Sequence, residues 1–125
     1  MPGRAIVLCC ETMTAEQVLD AVGTERESIM VVGREGSGDH GYVHARRVEA
    51  DTVAALRKAG VNAAGHVGDR NPAHAVDDAL SLFPAARVVV VAPAAEAEGY
   101  FEPLDPLEIE RRIGAEVRVI EVVGN

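Results

Sequence analysis

The chain has 125 residues, 48% hydrophobic and 26% charged, which fits one globular domain burying roughly two thirds of its unfolded surface and excludes a disordered segment. Twelve basic against 20 acidic residues leave a net charge of −8, which repels nucleic-acid phosphates, and no basic stripe overrides it. No apolar run approaches the ~20 residues of a membrane span, and the run Ala5–Cys10 behind Arg4 is too short for a signal-peptide core, so a cytoplasmic protein is expected.

Ala5 to Cys10 (AIVLCC) reads as a first buried strand. Ala15, Val18, Leu19 and Val22 then follow helical spacing, with Thr14 and Gln17 in a capping-box pattern and Gly23 at the stop. Ser28 to Gly33 (SIMVVG) is a second buried strand, followed by the glycine-rich stretch Gly36–Gly41. An amphipathic helix is expected over Ala45–Ala59, with Val48, Thr52, Ala55, Leu56 and Ala59 on one face and Gly60 closing it. Val61 to Val67 is the third strand, in which Asn62 and Gly65 are poor strand residues. Asn71 as N-cap and Pro72 as first residue open a helix whose stripe is Val76, Ala79, Leu80 and Phe83.

Arg87 to Ala92 (RVVVVA) is the strongest strand, since four consecutive valines imply burial on both faces. Ala94 to Leu104 is an acidic loop, Asp105 to Gly114 a short last helix, and Glu116 to Val123 the final strand. Buried strands alternating with helices give an α/β protein: a five-stranded parallel sheet between two helical layers, with right-handed crossovers. Ligands bind such sheets beyond the C-terminal strand ends, where strand order reverses. The candidate lips are therefore Cys10-Glu11, Arg34 to Gly41, Gly68 to Asn71 and Pro93 to Glu96.

Each lip has a structural and a functional reading. Gly36, Gly38 and Gly41 fall in a G-x-G-x-x-G pattern, in which backbone amides could approach a phosphate. Against that, Arg34 and Glu35 separate the glycines from the apolar strand, and Asp39 puts a carboxylate in the cradle; a plain connection fits as well. Gly33 ends its strand, and the turn Gly68-Asp69-Arg70-Asn71 is either an ordinary strand-to-helix turn or an anion-facing helix start. Cys9 and Cys10, adjacent and thus ill-placed on a strand for a mutual disulfide, are buried hydrophobes or a redox thiol pair at the mouth. No histidine has a forced position near them.

His40 and His44 stand four apart, but His40 lies among glycines ahead of the expected helix, so no metal site is assigned. The carboxylates Glu96, Glu98, Glu102, Asp105 and Glu108 read as a solvated loop, and no catalytic constellation emerges. Arg46-Arg47, Arg57-Lys58 and Arg111-Arg112 read as helix surfaces. Tyr42, Tyr100 and Phe101 are the near-surface aromatics, too few for stacking on a single strand.

With this element order and the G-D-x-N-P-x-x-A-V-x-D-A turn and helix at Gly68–Ala79, the chain resembles the universal stress protein family. It looks most like short, divergent, actinobacterial-type members. The resemblance implies the adenine-nucleotide α-hydrolase-like sheet order 3-2-1-4-5, although a flavodoxin-like 2-1-3-4-5 fits the same alternation. ATP-binding members carry a G-x-x-G run after strand four, and here Ala92–Gly99 (APAAEAEG) lacks the glycine pair and holds carboxylates. No cofactor is therefore expected, with ATP or AMP as the alternative through Gly36–Gly41 or Asp69–Asn71. The resemblance also implies a homodimer through antiparallel pairing of the last strand, at Val117, Val119, Ile120 and Val122. An apolar edge strand independently needs cover. The leading expectation is a non-catalytic domain that binds a partner protein or small ligand.

Overall fold

The computed structural model describes residues 3–23, 26–85, 87–92, 101, 105–114 and 116–121. Five parallel strands, β1 (Gly3–Cys9), β2 (Arg26–Arg34), β3 (Ala63–Gly68), β4 (Arg87–Ala92) and β5 (Glu116–Glu121), form one sheet in the order β3-β2-β1-β4-β5. β1 pairs with β2 on one side and β4 on the other, which settles the order as 3-2-1-4-5 and excludes 2-1-3-4-5. Four helices alternate with them: α1 (Ala15–Val22), α2 (Gly41–Lys58), α3 (Pro72–Leu82) and α4 (Pro106–Ile113).

Side chains of a strand alternate between faces, so each strand feeds two cores. Ala5, Val7, Val31, Val89 and Val91 pack with Val18 and Val22 of α1 and Val48 and Leu56 of α2. Ile6, Leu8, Val32, Val88 and Val90 pack with Val76 and Ala79 of α3 and Ile109 of α4. The fold is thus a three-layer α/β/α sandwich.

Local chemistry fixes the helix ends. Thr14 Oγ1 accepts from Gln17 N (3.1 Å) while Gln17 Oε1 accepts from Thr14 N (2.9 Å), the reciprocal box read in the sequence. The last turn of α1 has no basic residue of its own. Arginines of the neighbouring strands supply the charge instead: Arg118 donates to Ala21 O at 3.3 Å and Arg87 to Val22 O. Asn71 caps α3, accepting from Ala73 N (3.0 Å) and His74 N (3.2 Å). Asp105 caps α4, which stops at Gly114 with φ 66°.

Several expectations need correction. α2 begins at Gly41, not Ala45, and His40 is its N-cap although its side chain caps nothing. Its buried face holds Val48, Thr52 and Leu56, whereas Ala59 lies past the end and is exposed. β3 begins at Ala63, not Val61, because Val61 N is held by Leu56 O at 3.0 Å in the turn leaving α2. Phe101 is buried rather than near-surface, at 7% exposure. Pro93, the rest of the acidic loop except Phe101, Val122 and Val123 lie outside the described residues.

Candidate functional site

Strand order reverses at β1, so the crevice opens past the C-terminal ends of β1 and β4. Cys10, just beyond β1, donates its thiol to Val91 O of β4 at 3.5 Å and closes the floor between the two strands. Arg34, the last residue of β2, is fully buried. Its Cζ lies 5.2 Å from the centroid of the Phe101 ring, within the range of a cation–π contact. Phe101 follows β4 in the chain, yet its ring sits over a residue of β2, two strands away across β1. The Arg34 side chain and the Phe101 ring therefore meet at the C-terminal end of the sheet.

Electrostatics at the mouth follow from burial. The Cys10 thiol is pushed up to about 11, first by desolvation and then by the Glu11 carboxylate, with Arg34 partly offsetting both. Burial, then Cys10 and Glu11, push Cys9 higher still. Both thiols are free and therefore protonated at neutral pH, which makes them poor nucleophiles. Cys10 lies past the strand, so the chain bends and both cysteines join the same apolar cluster rather than opposite faces. Cys9 Sγ is 3.4 Å from Met13 Sδ. His44 is the imidazole that sequence reasoning did not place here: its Nε2 lies 3.3 Å from the Cys10 backbone oxygen. It becomes visible only once α2 starts at Gly41, which puts His44 in the first turn.

The glycines divide into two kinds. Gly33 and Gly68 serve packing: a Cβ on Gly33 would run into Ala45 O, and one on Gly68 would lie 2.7 Å from both Ala75 Cβ and Val32 Cγ1. Gly38, with φ +87° and open space around a would-be Cβ, shapes the loop instead. That loop folds back on itself, with Gly41 N donating to Gly38 O at 3.3 Å and Gly36 buried beneath Gly41. Arg70 ties it to the next lip, pairing with Glu35 Oε1 (3.3 Å) and reaching Gly38 O (3.4 Å).

The two helix starts differ as anion sites. At α3, Asp69 Oδ1 takes Asn71 N at 2.9 Å and Asn71 Oδ1 takes the next two free amides, so internal oxygens already fill the position an anion would hold. At α2 no side chain caps the first turn. Glu11 is half-buried beside Cys10, and Pro93 falls outside the described residues. Among the described residues no three His, Cys, Asp or Glu side chains converge in a way that could hold a metal, and no helix is long and apolar enough to cross a membrane.

This arrangement defines an α/β protein of the universal stress protein fold. No protein-family profile matches the chain, and no curated protein matches it. Among solved structures it is similar to the universal stress protein from Archaeoglobus fulgidus, with a TM-score of 0.52 and 18% identity over 94% of this chain and 91% of that one. At that identity the likeness is one of fold, and it agrees with the resemblance carried by the Gly68–Ala79 turn and helix.

Proposed function

We propose that the chain is a non-catalytic, universal-stress-protein-like cytoplasmic domain that works as a homodimer, paired through β5, and binds a small ligand or partner protein. The observation that carries this reading is the mouth itself. Where an enzyme of this architecture would present a nucleophile or a base, two protonated thiols and a buried Arg34–Phe101 stack stand instead. Adenine-nucleotide binding in the manner of the family is not part of this reading, because Ala92–Gly99 offers carboxylates where phosphates need glycine amides.

Thermal unfolding with ATP, AMP, cyclic AMP or NAD, each with Mg²⁺, tests it. A ligand at 100 times its Kd adds ~2.7 kcal/mol, several degrees for a domain of this size. No shift with any nucleotide is expected. A clear shift with one would overturn this reading in favour of a nucleotide-binding module. The uncapped start of α2 next to the open Gly38 turn supports that second reading, in which Gly38→Val abolishes binding.

A further inference from the structure

We draw no further inference here: the strongest candidate, the exposed surface patch on the outer face of α2 around Tyr42, Val43, Arg46 and Arg47, carries nothing because nothing in the structure shows what covers it.

Discussion

β4 and β5 are neighbours of similar character, each built around valines, yet the sheet treats them differently. All four valines of β4 are completely buried, because β4 has a strand on each side and a helical layer on each face. In β5, Val117 and Ile120 are only partly covered and Val119 is 40% exposed. β5 is the last strand of the sheet among the described residues, so among them one row of its backbone groups also lacks a strand partner. At the opposite edge, β3 exposes Ala64 and Gly65 and leaves His66 and Val67 partly covered, so its one large aliphatic side chain is Val67. Valines at the sheet centre are explained by the monomer, whereas the half-covered Val117, Val119 and Ile120 of β5, set among Glu116, Arg118 and Glu121, are the physical basis for the proposed pairing through β5.

That contrast can be broken at its centre first. Val90→Ala should cost about 2 kcal/mol of unfolding free energy in urea, since a cavity opens in a packed layer. Val119→Ala should cost under about 0.5 kcal/mol under conditions that keep the protein dilute. A larger loss at Val119 than at Val90 would reverse the comparison. Next in size, Asn71→Ala removes the acceptor of two amides at the start of α3 and should cost about 1 kcal/mol.

The thiols at the end of β1 make the buried centre sensitive to alkali. Their pKa values are raised in the folded chain, so the folded state holds its protons more tightly than the unfolded state. The stability this represents is fully present below the ordinary thiol range and is lost as pH rises from there towards about 11. Denaturant titrations should show stability falling with pH across that window, and Cys9→Ala with Cys10→Ala should flatten the fall. The smallest effect belongs to the ion pair that joins centre and edge, Arg87 with Glu116 at 3.6 Å, both side chains partly exposed. Glu116→Gln should change stability by less than about 0.5 kcal/mol, measured in the same urea titration.

Much of the fold was legible because local signals and tertiary packing agreed. RVVVVA became β4 with the expected ends, and Thr14, Asn71, Asp105 and Gly114 start or stop helices by short-range bonds a sequence can show. The start of α2 was hidden because His40 supplies no capping side chain, and close packing of Gly41 on Gly36 sets that start instead. At the candidate site, Arg34 and Cys10 were legible as strand-end residues at the mouth. Phe101 was not, because its place depends on a contact two strands away. The Tyr100-Phe101 pair beside so many carboxylates was the available signal, since the wholly apolar Phe101 ring is costly to leave in a solvated loop.

Pairing through β5 is tested most directly by light scattering on the chain and on Val119→Lys, with circular dichroism confirming that both are folded. A particle of twice the 13.2 kDa chain mass for the parent, and of the single chain mass for the variant, is the result expected. A parent that stays at 13.2 kDa at every concentration, or a Val119→Lys variant that remains a dimer, would contradict it.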